Sequence, residues 1–183
     1  MKRLHSPIVR WVIFALFAAA CLTVQVTAQT NNGAVSVRGA VDQPLNLSLS
    51  DLQSMPRIKI TVREKDGTEA TFEGVSLYDI VSRARPHLTE KCCSNAINTV
   101  VIVKAADKYQ ALFSLPELDP KFDNRQVVLA DRREGLPLSP AQGPLQIIVP
   151  DDKVHARWVR QVNYIEVAPL GDLRAASTNS LPP

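Results

Sequence analysis

The sequence lacks the features of a membrane-spanning or nucleic-acid-binding protein. Its strongly apolar run, 11–22 (WVIFALFAAACL), has 12 residues, fewer than the ~20 that a helix needs to span hydrocarbon. An excess of one charge is also missing, because 18 basic and 18 acidic side chains remain once the three bases in 1–28 are set aside. Binding to nucleic acid or to an anionic membrane depends on clustered Lys and Arg. The balance argues against both partners.

Motifs for catalysis and metal binding are scarce as well. The chain has 3 Cys and 3 His, and neither a Cys-x-x-Cys nor a Gly-x-Ser-x-Gly motif occurs, although such motifs mark many metal sites and serine nucleophiles. Asp119, Asp123 and Asp131 match no calcium-loop spacing. We expect these carboxylates in solvated loops and at a strand end, and we assign no catalytic and no metal-ligating residue.

The N-terminus, by contrast, has the pattern of a secretory signal peptide. Basic residues precede the apolar run 11–22, and Val26-Thr27-Ala28 follows it as a cleavage site. The pattern predicts cleavage after Ala28 and a periplasmic or secreted protein. Two alternatives remain: an uncleaved membrane anchor, and a lipoprotein attached through Cys21, which follows three alanines.

The remaining chain is long enough for one domain with its own core. We interpret 1–28 as the signal peptide, 29–33 as a polar lead and 34–168 as the folded domain. The segment 169–183 is rich in Ala, Ser, Asn and Pro and has little to bury, so we expect it to be disordered.

Strand patterns dominate the domain. Apolar and polar residues alternate in several segments, and Asp66-Gly67 predicts a hairpin turn between two of them. The β-branched run Thr99–Val103 is typical of a central strand that is covered on both faces. The predicted strands lie near 35–37, 45–49, 58–62, 70–72, 99–103, 109–113, 127–129, 145–149 and 165–167, with a polar loop after 129 that holds Arg132 and Arg133.

Helical patterns are few. Ser50 is a candidate cap for a single turn over 51–55, which Pro56 stops. The main helix starts at Leu77 with Ser76 as its cap, and a short helix starts at 116–118. The fold class is therefore α+β: a mixed, strand-rich architecture with one main helix and several short ones.

The segment 151–160 carries the densest set of charged side chains. Lys153 and Arg157 are four residues apart, so on a helix both would face one anion, to which arginine offers a planar fork. We therefore take Lys153 and Arg157 as candidate phosphate-binding residues. The alternative is a solvated basic turn whose charge Asp151 and Asp152 offset.

Cys92 and Cys93 form an adjacent pair between the main helix and the next strand. A disulfide between neighbours is strained and easily reduced, which suits a thiol-redox role. The alternative is two loop thiols without a function, since no accompanying His or Cys spacing supports a metal site.

The ordered set of short motifs resembles the oxidoreductase molybdopterin-binding domain, the sulfite oxidase fold, over about 35–168. The resemblance implies a molybdenum cofactor that one cysteine thiolate ligates. That cysteine would fall at Thr61, and a threonine hydroxyl does not replace a soft thiolate. The motifs are Gly74-Val75-Ser76-Leu77, Ala106-Asp107-Lys108-Tyr109, Leu115-Pro116-Glu117-Leu118, Leu129-Ala130, Gly143-Pro144-Leu145, Val149-Pro150 and Arg157-Trp158-Val159.

The resemblance also implies a phosphate-binding element, matched in part by Arg157 before Trp158 and by Lys153. The leading hypothesis is an exported, non-catalytic or accessory binding module of a periplasmic redox system. Its partners would be a pterin or another anionic small molecule and a membrane redox protein. The alternatives are a molybdopterin-dependent oxidoreductase without a protein thiolate ligand, and a thiol-redox protein using Cys92 and Cys93.

Overall fold

A computed structural model describes residues 34–87 and 96–172. The predicted signal peptide, the Cys92-Cys93 pair and most of the predicted tail lie outside the described residues. Within the described part, no helix is long and apolar enough to cross a membrane.

The described residues form ten strands in two sheets. The strands are β1 Val35–Gly39, β2 Leu45–Leu47, β3 Ile58–Arg63, β4 Glu69–Ser76, β5 Thr99–Ala105, β6 Gln110–Ser114, β7 Val128–Arg133, β8 Leu136–Pro137, β9 Gln146–Ile148 and β10 Val162–Pro169. The first sheet has the order β2-β1-β10-β5-β6, and the second has the order β3-β4-β7-β8, with β9 also paired to β7. Strands thus dominate, and the predicted α+β class is confirmed.

The first sheet is mixed because β1 pairs in parallel with β10, while its other pairs are antiparallel. Strand β5 is buried on both faces along most of its length, as its β-branched residues predict. The central position belongs to β10, however, so the prediction that β5 is central was wrong by one strand. The reason is the parallel pairing of the first and last strands, which leaves no local pattern in the sequence.

Within residues 34–87 and 96–172, the short α-helices that lie between strands are α1 Leu49–Ser54, α2 Leu77–Arg83 and α3 Leu115–Leu118. The predicted cap of α2 is confirmed, since the Ser76 hydroxyl accepts a hydrogen bond from the Asp79 amide. The cap of α1 is Ser48 rather than the predicted Ser50, because Ser48 forms a capping box with Asp51 three residues later.

Apolar side chains of both sheets and of the helices form one buried cluster, which includes Phe72, Phe113 and Ile165 at 0% exposure. Two predictions about charged residues at the edge of this core were wrong. Asp131 is buried in β7 and ion-paired with Arg57 rather than solvated. Arg132 and Arg133 also lie in β7 rather than in a loop, because the partner strands β4 and β8 extend this strand beyond its apolar part.

Candidate functional site

The charged segment 151–160 is a turn followed by a 3-10 helix, His155–Arg157. A helix of three residues does not place Lys153 and Arg157 on one face. The helical condition for their convergence is therefore not met. Lys153 is exposed and forms no ion pair with another described residue.

Two carboxylates of this chain are ion-paired with the Arg157 guanidinium. Its Nε and Nη2 donate to the two carboxylate oxygens of Asp152 at 2.9 and 2.6 Å, and its Nη1 donates to Glu117 Oε1 at 2.6 Å. The guanidinium carbon also lies 4.9 Å from the ring centroid of Phe113. A phosphate would have to displace one of the two carboxylates to reach this fork.

The pairing raises the pKa of Arg157, chiefly through the hydrogen bonds with Asp152 and then through Glu117. Glu117 has a second task, since its other carboxylate oxygen accepts from the Ser114 amide at the start of α3. Arg157 thus joins the turn at Asp152 to α3. The role of Lys153 and Arg157 in phosphate binding stays a prediction.

A polar cavity of about 710 Å³ lies beside this segment. Turns form most of its wall: the β3–β4 turn, the β5–β6 turn and the segment around the 3-10 helix. Strand β9 contributes one residue, Gln146. A cavity of this size suits a small organic ligand.

Gln146 is the unusual residue of the cavity wall. It is 2% exposed, between Leu145 and Ile147 at 0%. Its buried Oε1 accepts a hydrogen bond from no described residue, and its amide nitrogen donates to none of them. Buried side-chain polar atoms are nearly always hydrogen-bonded, so an unpaired amide at a cavity wall requires an explanation.

Aromatic rings form another part of the wall. The rings of His155 and Trp158 are stacked, with centroids 3.7 Å apart and planes 5° from parallel. Two further contacts hold Trp158 in place: its Nε1 donates to the Val149 carbonyl at 3.0 Å, and its ring packs edge-on against Phe72. Tyr109 Oη donates to the Ala156 carbonyl at 2.6 Å, which ties the β5–β6 turn to the 3-10 helix.

The charges of the cavity wall are nearly balanced. Lys65 and Arg160 are exposed and form no ion pair with another described residue, while Asp66 and Asp107 carry the opposite charge. A hydrogen bond from the Thr68 hydroxyl, with a second from the Thr68 amide, lowers the pKa of Asp66. The remaining carboxylate, Glu64, is neutralised by Arg133 at 2.7 Å. The wall therefore has no cationic surface of the kind that selects a polyanion.

Thr61, the position that the family resemblance assigns to a metal-ligating cysteine, is not among the residues that line this cavity. Thr61 lies on the exposed side of β3, where its Oγ1 is 3.1 Å from Thr71 Oγ1 across the hairpin. Residues 34–87 and 96–172 contain no cysteine, and none of their His, Asp and Glu side chains cluster in a group of three that could hold a metal. The donor set of the described residues does not fit molybdenum, which takes a thiolate in this fold family.

Sequence reasoning missed two features of the site. The sequence prediction treats Gln146 as part of the core strand 145–149 and gives it no separate role, although it is the single polar residue in that run. Glu117 was assigned to a helix start, and nothing in its sequence context indicates a contact with Arg157, forty residues away. The sequence therefore contained a sign of the role of Gln146, but none of the contact between Glu117 and Arg157.

Comparisons with known proteins place these observations in a family. The oxidoreductase molybdopterin binding domain matches residues 22–170. Among solved structures, the chain is similar to the sulfane dehydrogenase SoxCD from Paracoccus pantotrophus, with a TM-score of 0.58 and 18% identity, over 73% of this chain and 37% of that one. The chain therefore spans well under half of that relative. A search of curated proteins finds no match. The chain belongs to the oxidoreductase molybdopterin binding domain family.

Proposed function

We propose that the protein is an exported binding module with an accessory role in a redox system, rather than a molybdenum enzyme. The observation that carries this proposal is the chemistry at position 61. The side chain there is a threonine hydroxyl, which is neither soft nor readily ionised. Its Oγ1 shares a hydrogen bond with Thr71 Oγ1 across the hairpin, and it is not among the residues that line the cavity.

The cavity supports a binding role without a metal. Its wall offers an unpaired amide, stacked rings and balanced charges, which are suited to holding a small molecule. The assignment to a redox system rests on the family and on the structural relative, which is a sulfane dehydrogenase by its name. A pterin or other anionic ligand and a membrane redox partner stay predictions.

The metal content of the purified protein tests the proposal. We expect molybdenum far below one atom per chain after expression in a host that makes molybdopterin, measured by elemental analysis. Pterin fluorescence of the denatured protein should be at background level. One molybdenum and one pterin per chain would contradict the proposal and favour a molybdopterin-dependent oxidoreductase.

A matched pair of variants tests the role of position 61. Thr61→Cys should gain no molybdenum, because the new thiol would lie on the exposed side of the hairpin. Thr71→Cys is the control, since it places a thiol on the neighbouring strand at the same level. Stoichiometric metal in Thr61→Cys but not in Thr71→Cys would show that position 61 belongs to a metal site.

A further inference from the structure

We propose that the cavity beside Gln146 binds a flat nitrogen heterocycle without net charge, and without a phosphate group. The proposal rests on the function proposed above, and it replaces the anionic ligand predicted from the sequence with an uncharged one. Three independent features of the cavity wall carry it: the Gln146 amide, the stacked rings and the balance of charge.

The Gln146 amide identifies a hydrogen-bonding ligand. Gln146 is buried in β9 among apolar neighbours, and its amide has no partner among the described residues. The buried Oε1 opposes folding, because it loses its water without gaining a hydrogen bond from a described residue. The second polar atom of the amide is not fully buried, so a ligand in the cavity can reach it. A ligand that offers both N–H donors and acceptor atoms can bond to this atom in either orientation of the amide oxygen and nitrogen.

The stacked rings identify a flat ligand. Trp158 covers one face of the His155 ring, and the opposite face has no ring partner among the described residues. His155 lines the cavity, so a planar heterocycle can extend the stack there. Aromatic rings prefer such stacked or edge-on contacts at short range. A flexible aliphatic ligand could contact the ring face but could not stack on it.

The charges indicate a ligand without a phosphate. Lys65 and Arg160 are matched by Asp66 and Asp107 in the same wall, so an anion gains little net attraction. Arg157, which would be the natural fork for phosphate, is held by Asp152 and Glu117 outside this cavity wall. The volume of about 710 Å³ leaves room for two or three fused rings with short substituents.

Fluorescence titration with two uncharged heterocycles, adenine and lumichrome, tests the proposal. The chain has 2 Trp, and Trp11 lies in the predicted signal peptide, so the fluorescence of the cleaved protein reports on Trp158 alone. We expect saturable quenching by at least one of the two probes, with calorimetry as the second readout. Adenosine monophosphate should bind no more tightly than adenine, because Asp66 and Asp107 offset the charges of Lys65 and Arg160 in the wall.

Variants of the wall separate ligand binding from folding. Gln146→Met keeps the volume and removes the hydrogen bond, so binding should weaken about fivefold or more, while the temperature of unfolding should rise by about 3 °C. Gln110→Met is the control on the exposed edge strand β6 and should change neither quantity. His155→Leu should weaken binding, and His155→Phe should restore it by restoring the stack.

Each contrary outcome overturns the proposal. Neither probe binding at millimolar concentration would remove the ligand class, and binding that is unchanged in both Gln146→Met and His155→Leu would place the ligand elsewhere. Tighter binding of adenosine monophosphate than of adenine would make the cavity an anion site. The metal assay is independent of these titrations. If neither heterocycle binds, the proposed absence of molybdenum is still decided by the metal assay alone.

Discussion

At the scale of single residues, Arg157 connects distant parts of the chain through its guanidinium. It bonds to Asp152 and Glu117 and lies over Phe113. Arg157→Lys keeps the charge but loses the planar fork. Because the side chain is 27% exposed, we discount the full strength of these bonds and expect the free energy of unfolding to fall by about 2 kcal/mol. Urea unfolding measures the change.

Lys153→Ala is the control for this variant. Lys153 is exposed and unpaired among the described residues, so the free energy of unfolding should change by less than about 0.5 kcal/mol. Phosphate titration of the same proteins tests the phosphate-binding prediction. Equal stability of all three proteins, with phosphate affinity lost in Arg157→Lys, would show that Arg157 serves a ligand and not the fold.

At the scale of elements, Gly74 sets the contact between β4 and β7. A Cβ at this position would lie 2.1 Å from the Leu129 carbonyl oxygen, beside an irregularity in the strand register. Backbone atoms in a sheet have little room to move, so Gly74→Ala should lower the free energy of unfolding by about 3 kcal/mol. Gly67→Ala is the control: a Cβ there meets no atom within 4 Å, and only the strain of its left-handed backbone, about 1 kcal/mol, is added. Equal losses in both variants would refute the close approach.

The capping box of α1 gives the second prediction at this scale. A hydrogen bond from the Ser48 hydroxyl lowers the pKa of Asp51 below its ordinary value of 3.8. A carboxylate whose pKa is lower in the folded state than in the unfolded state stabilises the folded state at any pH above its unfolded-state pKa. This stabilisation is lost as the pH falls through the folded-state pKa. Asp51→Asn should therefore be less stable than the parent at pH 7, and the difference should shrink in acid. Thermal unfolding across pH measures it, and a difference that is constant with pH would contradict the cause.

At the scale of the whole molecule, we propose export with cleavage after Ala28. The order of basic start, apolar run and small residues is the basis for this proposal. The intact mass of the protein recovered from the periplasm should correspond to a chain that begins at Gln29. A lipid-modified N-terminus at Cys21, or an uncut chain in the membrane fraction, would replace this interpretation with one of the two alternatives.

The elements that were predictable from the sequence are those that depend on near neighbours. The hairpin around Asp66-Gly67, the Ser76 cap and the doubly buried strand Thr99–Ala105 all follow from local turn chemistry, capping and residue type. The ordered motifs also indicated the family, because they are read along the chain without knowledge of contacts.

Tertiary structure decided the features that depend on remote partners. The place of β10 between β1 and β5 arises from pairing between the two ends of the domain, and the best pairing depends on the core as a whole. The same holds for the site. Lys153 and Arg157 have a spacing that suggests one anion site, but Glu117 reaches Arg157 only because the fold brings α3 beside the turn. Gln146 is polar in the sequence, yet its lack of a partner is a property of everything packed around it.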